Sequence, residues 1–420
     1  MKILKADIVS KLDQQDERQR QQASAHEIQV LLEALAAEAR SVKVKQSLVE
    51  SLLYDGMVTR RENISETHAN TYEWIFSPDE DRGRTAHLQD WLKAGSGVFW
   101  VSGKPGSGKS TLMKFIHGHS RTKELLESWA GDSKLVFVSH FFWINGNDMQ
   151  KSQEGLLREM CASLVRNCPD VFFEKWKHIA GISEDRLHES AHRVEWPMST
   201  LRQMLETVRY VDQDQGQSLR FVFFIDGLDE YNGDHEWLCE FLHGLASSGA
   251  IKVCVAGRPW HVFERAFGGD EGKKLYMQRL THDDICSFVH DKIGKDKHFQ
   301  DLLRQDRKAE EIMDDIISRS NGVFLWVYLV ERQVHKSLLN QDELETLRKR
   351  VSQMPSDLNA YFRHMLDSIV SEPQMPSDKD SVGELEPRNP KLASSMRRIY
   401  LQCFALMSIH TLPVSDFVPG

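Results

Sequence analysis

The stretch GVFWVSGKPGSGKSTLMKFI, residues 97–116, decides the fold of this chain. It contains an apolar run, a glycine-rich loop and an amphipathic helical pattern, in that order. Four residues fill the pattern G-x-x-x-x-G-K-[ST], namely Gly103, Gly108, Lys109 and Ser110. In such a loop the glycines let backbone N–H groups surround phosphate oxygens, and the following helix N-terminus adds positive potential. We expect Lys109 to reach the β- and γ-phosphates of a nucleotide and the Ser110 hydroxyl to ligate Mg²⁺.

A second apolar run ends in acids, in the stretch RFVFFIDGLDEY at 220–231. In phosphate-loop proteins a second strand ends beside the phosphates with an acid that holds Mg²⁺, and Asp226 has this position. Gly227 keeps the adjacent position small. We expect Glu230 to orient or activate water near the γ-phosphate, and Asp229 to support the Mg²⁺ ion or the structure. The alternative is a solvated acidic turn after a strand.

Arg258 follows directly after a further apolar run, 251–257. Where an extra strand lies between the phosphate-loop strand and the magnesium strand, the residue at its end faces the γ-phosphate. We therefore predict that Arg258 senses that phosphate. The alternative is a surface salt bridge.

The identity of the nucleotide base is predicted from patterns that the sequence lacks. GTP-binding proteins carry D-x-x-G near the magnesium strand and N/T-K-x-D after it. The residues 226–229 read DGLD, and no N/T-K-x-D follows them. ATP is therefore favoured over GTP.

The fold class follows from five apolar runs that alternate with helical stretches: 97–102, 134–143, 220–226, 251–257 and 274–280. Runs that are apolar on both faces and are separated by crossovers indicate a parallel sheet covered by helices. We predict an α/β fold, a three-layer P-loop NTPase domain with a parallel five-stranded sheet. An N-terminal helical segment and a C-terminal all-α lid flank it.

The predicted organisation has six parts. They are an N-terminal helical segment (1–54), a helical connector (55–95), the NTPase domain (96–283), the helical lid (284–370), a flexible linker rich in Pro, Ser and acids (371–390) and the start of an incomplete winged-helix-like domain (391–420).

The N-terminal segment carries a recurring apolar series: Ile28, Leu32, Leu35, Ala39, Val42, Val49 and Leu53. Gln46 interrupts it. One amphipathic helix that packs on its neighbours is the favoured interpretation. A short coiled coil that pairs two chains is the alternative, although it normally needs three or more clean heptads.

Composition excludes several classes of function. A net charge of −9 over 420 residues argues against nucleic-acid or anionic-membrane binding by bulk charge. The six cysteines form no C-x-x-C pair, which is typical of reduced thiols in the cytosol. No signal peptide or membrane span is present in the pattern, so a cytoplasmic location is expected.

Two local patterns have competing interpretations. The stretch HESAH, 188–192, matches the zinc-protease motif H-E-x-x-H, but no third ligand is evident and a solvated helix is favoured. The stretch around Leu325, Trp326 and Val327 is only about ten apolar residues long, which favours a buried lid helix over a membrane helix.

Several segments together resemble the NACHT family of STAND NTPases, in the NLR-like version common in filamentous fungi and also described by a nephrocystin-3-like N-terminal domain. They are TYEWIF, GKPGSGKSTLMK with its Walker A motif, SHFFW, KSQEGLLREM, FIDGLDEY with its Walker B acid, GRPW, LTHDDI and NGVFLWVYLV. The likeness covers roughly residues 45–370.

The resemblance implies a signalling switch, in fungi linked to non-self recognition and programmed cell death. Such proteins rest in a closed ADP-bound state, and exchange for ATP opens them and permits oligomerisation. Slow hydrolysis resets the switch. Carried over, Asp226 holds Mg²⁺, Glu230 is the hydrolytic carboxylate and Arg258 is the sensor. The phosphates contact Gly103, Lys104, Pro105, Gly106, Ser107, Gly108, Lys109, Ser110 and Thr111.

Two departures from the family pattern are visible. Related switches have a G-x-P in the helical domain near the adenine, whereas this chain has Gly322-Val323-Phe324. A winged-helix domain should contribute a His to the β-phosphate, and His410 is a poor candidate for it. The trigger and the effector partner are not specified by the sequence, and the chain is either a short family member or an incomplete one.

Three other classes compete with the switch. They are a fast-turnover remodelling ATPase, a scaffold that keeps nucleotide for structure, and a small-molecule kinase. The complete set of polar site residues disfavours the scaffold. No trans-acting arginine or substrate loop is identified for a remodeller, and no acceptor site or Arg-rich lid for a kinase.

Overall fold

The computed structural model describes residues 29–64, 71–76, 82–168, 170–179, 195–209, 218–358 and 360–361. The zinc-protease motif at 188–192, the predicted linker at 371–390 and the predicted winged-helix start at 391–420, with His410, lie outside these residues. By their contacts, the described residues divide between two compact units, Met1–Leu53 with Cys161–Leu205 and Tyr54–Met160 with Glu206–Gly420.

A five-stranded sheet forms the centre of the second unit. Its strands are β1 (Gly97–Ser102), β2 (Lys134–Phe141), β3 (Leu219–Asp226), β4 (Ile251–Gly257) and β5 (Lys274–Tyr276). They lie in the order β2-β3-β4-β1-β5, and every pair is parallel. The predicted α/β class, with its parallel five-stranded sheet, is confirmed.

Two strands are shorter than predicted. β2 ends at Phe141 rather than at 143, and the last run forms only three residues of strand before a 3₁₀ turn at Met277–Arg279. β5 is an edge strand that pairs with β1 alone, from Trp100 to Ser102. Because β1 ends there and the chain turns into the phosphate loop, β5 has no partner backbone left to extend along.

The described residues form fifteen α-helices. In chain order they are α1 (29–52), α2 (Thr59–Asn63), α3 (Arg82–Lys93), α4 (Lys109–Gly118), α5 (Ser120–Ala130), α6 (Gln153–Asn167), α7 (Asp170–Ile179), α8 (Met198–Thr207), α9 (His235–Ala246), α10 (His261–Phe267), α11 (His282–Val289), α12 (Lys297–Gln305), α13 (Glu310–Arg319), α14 (Phe324–Leu339) and α15 (Leu344–Gln353). A π-helical turn, His290–Gly294, follows α11 directly.

The sheet is buried on both faces, as its apolar runs require. Every residue of β4 is buried, and β3 has only Arg220 partly exposed. The polar exception in β4 is Lys252, whose Nζ donates to the carbonyls of Trp91 and Leu92 at the end of α3. A buried amine is tolerated there because it donates to two carbonyls of the last turn of the helix, of which that of Trp91 also accepts the Gly95 N–H at 3.0 Å.

The strand register brings the polar residues of the predicted site to one edge of the sheet. Ser102 at the end of β1 lies opposite Gly257 at the end of β4. Phe141 at the end of β2 lies opposite Asp226 at the end of β3. The loops that follow these strands therefore leave the same edge, which is where open α/β sheets bind ligands.

The C-terminal helices, α11 to α15, have their own apolar core. It is built around residues such as Phe288, Phe299, Ile316, Trp326 and Val330. Trp326 and Val327 are fully buried in it, which explains the apolar stretch in α14 without a membrane. Among the described helices, none is long and apolar enough to cross a bilayer.

The first helix differs from its predicted pattern. Leu32, Leu35 and Val42 of the apolar series are exposed, and the buried stripe is offset from them. It consists of Val44, Leu48, Val49 and Leu52. Within the first unit the Trp196 indole N–H donates to the Ser51 carbonyl at 3.1 Å. The packing stripe therefore follows an i, i+4, i+8 spacing rather than the heptad positions.

Candidate nucleotide-binding site

The phosphate loop has the backbone that its glycines predict. Gly106 and Gly108 both have positive φ angles, 72° and 92°, which side chains with a Cβ rarely adopt. Lys109 folds back over the loop, and its Nζ donates to the carbonyls of Gly103 at 2.8 Å and Lys104 at 3.2 Å. The Ser107 hydroxyl is buried and has no hydrogen-bond partner among the described residues. The loop thus holds one ammonium and one unused hydroxyl around a glycine cradle, which fits a phosphate group.

Asp226 lies at the end of β3, where only 1 % of it is exposed. In the part of the chain that the structure describes, neither of its carboxylate oxygens has a hydrogen-bond partner. Burial raises the pKa of Asp226, and the nearby Ser110 hydroxyl, Arg60 and Lys109 oppose the rise. A buried carboxylate with free oxygens beside a hydroxyl fits Mg²⁺, which prefers oxygen ligands and keeps several waters.

Asp229 is engaged with the predicted sensor. One of its oxygens accepts the Arg258 backbone N–H at 3.0 Å, and the other lies 2.8 Å from Arg258 Nε. Both side chains are nearly buried, so this is a well-ordered ion pair rather than a surface salt bridge. Gly257 permits the approach, because a Cβ there would lie 3.2 Å from Leu228 Cβ. The arrangement places Asp229 as the partner of Arg258.

Glu230 faces the same edge of the sheet from a short 3₁₀ turn. Its Oε2 accepts the Ile144 N–H at 2.9 Å, and its Oε1 lies 3.9 Å from Arg60 Nη2. Burial raises the pKa of Glu230 to about 7, against the opposing effect of Arg60. A carboxylate with a pKa near the working pH is suited to accept a proton from water.

This pKa predicts an unusual dependence of stability on pH in the nucleotide-free protein. A carboxyl whose pKa is about 4.5 unfolded and about 7 folded binds more protons in the folded state between these values. The free energy of unfolding should therefore fall as pH rises from about 4.5 to 7. Glu230→Gln should stabilise the protein at pH 8 by up to ~3 kcal/mol and leave it unchanged near pH 4. Urea titrations of both proteins at the two pH values test this, and an equal effect at both would contradict it.

Tyr72 is a site residue that motif reasoning did not identify. Its hydroxyl donates to the Gly108 carbonyl at 3.2 Å. A Cβ on Gly108 would lie 2.3 Å from the Tyr72 hydroxyl oxygen. Its backbone N–H points to the Asp284 carboxylate of α11, which also accepts the Trp74 indole N–H at 2.7 Å. The segment TYEWIF therefore connects the phosphate loop with the helical lid. The resemblance of the segment TYEWIF to the family was the sequence signal that could have identified Tyr72.

The lid also contacts the phosphate loop directly. The Leu325 backbone N–H, at the start of α14, donates to the Gly106 carbonyl at 3.0 Å. A Cβ on Gly106 would lie 2.8 Å from Leu325 Cβ and 3.1 Å from Leu358 Cδ1. Gly322 is equally constrained, since a Cβ there would lie 2.4 Å from the Gln278 carbonyl oxygen. The first turn of the lid helix is therefore fitted against the loop backbone.

This contact predicts the effect of Gly106→Ala. The new Cβ meets Leu325 and forces a positive φ on alanine, so we expect a loss of about 1–3 kcal/mol in the free energy of unfolding. Thermal denaturation measures it. Gly118→Ala is the matched control, because a Cβ at Gly118 meets no atom within 4 Å. Equal melting temperatures for the two variants would contradict the proposed fit.

The parallel sheet, the glycine loop after β1 and the buried acid after β3 define a P-loop NTPase. Residues 70–258 match the family model described as nephrocystin 3, N-terminal. The nephrocystin-3-like part of the resemblance stated from the sequence is confirmed for these residues.

Comparison with solved structures gives only distant similarity. The crystal structure of Cdc6p from Pyrobaculum aerophilum is 13 % identical, with a TM-score of 0.33 over 64 % of this chain and 67 % of that one. The structure of Drosophila ORC bound to DNA is 13 % identical, with a TM-score of 0.30 over 78 % of this chain and 79 % of that one. Among curated proteins, none matches the sequence significantly. Likeness at this level does not bear on function.

Proposed function

We propose that the chain is an ATP/ADP-binding switch of the STAND type that hydrolyses ATP slowly. One observation carries the proposal. The Leu325 N–H of the helical lid donates a hydrogen bond to the Gly106 carbonyl of the phosphate loop. A change in the loop conformation would therefore act on the lid. A ligand that alters the loop thereby biases the position of another element, which is what a conformational switch requires.

The residues have distinct roles in this proposal. The loop from Gly103 to Thr111 binds the phosphates, and Asp226 with Ser110 holds Mg²⁺. Magnesium ATP supplies the cleavable phosphate bond and the metal charge when bound. Glu230 accepts the proton of the attacking water. Arg258 exchanges Asp229 for the γ-phosphate as its partner, so its pairing reports which nucleotide is present.

The signalling part of the proposal rests on the family resemblance. ATP binding would permit self-association, and hydrolysis would return the protein to the ADP state. The trigger and the effector protein are left open. A role in fungal non-self recognition or cell death is the context that the resemblance implies.

The first test is to identify the nucleotide that the protein retains. The chain is purified without added nucleotide and denatured, the released nucleotide is identified, and ATP turnover is timed with the same sample. Tightly held ADP with turnover of minutes or slower supports the switch. An empty site with many turnovers per second would replace it with a working ATPase.

A further inference from the structure

We propose that Arg60 is a nucleotide-binding residue of this site, which contacts the γ-phosphate and thereby separates ATP from ADP. The proposal rests on the function proposed above. Arg60 belongs to α2, in the connector that precedes the NTPase sheet in the sequence, and no motif of the phosphate site includes it.

The side chain of Arg60 reaches the acidic end of the site with unused donors. Only 17 % of it is exposed, and Nη2 lies 3.9 Å from Glu230 Oε1, which is too long for a hydrogen bond. Its Nε is buried and has no hydrogen-bond partner within the described ranges. A guanidinium with unfilled donors in a buried position is well suited to a phosphate, which it can bind in a planar, bidentate manner.

The charges of the site leave room for such a ligand. The site brings together three carboxylates and three cations: Asp226, Asp229, Glu230, Lys109, Arg258 and Arg60. Asp229 and Arg258 are bonded to each other, and Lys109 is bonded to loop carbonyls. Arg60, by contrast, forms only a loose ion pair with Glu230 among the described residues, at 3.9 Å, and it acts electrostatically on both Asp226 and Glu230.

The connector is held so that Arg60 stays in the site. On one side, the Gln150 amide donates to the Gly56 carbonyl at 2.8 Å, and the Asn147 amide donates to the Asp55 carbonyl at 2.6 Å. On the other, Lys114 of the phosphate-loop helix donates to the Ile64 carbonyl at 2.8 Å.

The guanidinium itself lies over the Trp143 ring, 5.9 Å from its centroid. Trp143 directly precedes Ile144, whose N–H bonds Glu230. Two neighbouring residues therefore contact the proposed hydrolytic carboxylate and Arg60. Binding of a γ-phosphate at this arginine would therefore also act on the connector.

The test compares the affinities of two nucleotides. Dissociation constants for ADP and for a non-hydrolysable ATP analogue, each with Mg²⁺, are measured by calorimetry for the wild type, Arg60→Ala and Arg60→Lys. We expect Arg60→Ala to weaken the ATP analogue about tenfold or more and ADP less than about twofold. Arg60→Lys should restore part of the difference, since it keeps the charge and loses the fork geometry.

Arg61→Ala is the matched control. It removes a neighbouring arginine of the same helix, whose Nη1 donates to the Ser139 hydroxyl at 3.2 Å. It should leave the ratio of the two affinities unchanged. Equal weakening of both nucleotides in Arg60→Ala, with or without loss of folding, or no weakening of either, would overturn the γ-phosphate role and leave Arg60 a structural residue. A wild type that binds neither nucleotide would overturn the proposed function itself.

Discussion

Lys109→Ala is expected to abolish nucleotide binding. The Nζ of Lys109 is the ammonium at the mouth of the glycine cradle, and Asp226, Asp229 and Glu230 all favour its charged form. Burial lowers the pKa of this lysine, whereas the carboxylates raise it. A bound phosphate would raise it further and favour the charged form. Loss of a buried charge-assisted bond to phosphate should weaken ATP and ADP by at least about 100-fold.

Calorimetry with both nucleotides measures this loss. Lys123→Ala is the control, because it removes an exposed lysine of α5, outside the phosphate loop, where it pairs with Glu127. The control should bind ATP within a few-fold of the wild type. Undiminished ATP affinity in Lys109→Ala would contradict the assignment of the loop.

Glu230→Gln is expected to retain ATP and to slow its hydrolysis by about 100-fold or more. The amide oxygen of glutamine can still accept the Ile144 N–H, so the backbone arrangement of the site is preserved. What is lost is the carboxylate that we propose as the acceptor of a proton from water. The variant should therefore bind the ATP analogue as the wild type does and turn over slowly in a steady-state phosphate-release assay.

Asp229→Asn separates the two acids of this turn. Asp229 is bonded to Arg258, so its loss should disturb the γ-phosphate sensor rather than proton transfer. We expect a change in the ratio of ATP to ADP affinity that is larger than the change in turnover. Unchanged turnover in Glu230→Gln, together with a large loss in Asp229→Asn, would assign the hydrolytic role to Asp229 instead.

The same acids show how far the sequence could be used. Asp226 could be assigned from the strand before it, because an apolar run that ends in a carboxylate has few other uses near a phosphate loop. The partner of Asp229 could not, since Arg258 follows a different strand and only the pairing of β3 with β4 brings the two residues together. The raised pKa of Glu230 likewise depends on burial by residues that are distant in sequence.

Local sequence patterns determined much of the fold of this protein. Hydrophobic runs specified the five strands, and the glycine loop specified the phosphate cradle, because strand burial and positive φ angles are decided by residue type over a few positions. The boundaries of β5 and the buried face of α1 were not specified, because they depend on which neighbour is available to pair or pack.

The tertiary structure alone decided which distant residues complete the site. Tyr72 on Gly108, Leu325 on Gly106 and Arg60 near Glu230 are contacts between segments far apart in the chain. None of these residues has a distinctive spacing from its partner. Their positions follow from the packing of the connector and the lid on the sheet, and packing is a property of the folded surface as a whole rather than of any short stretch of sequence.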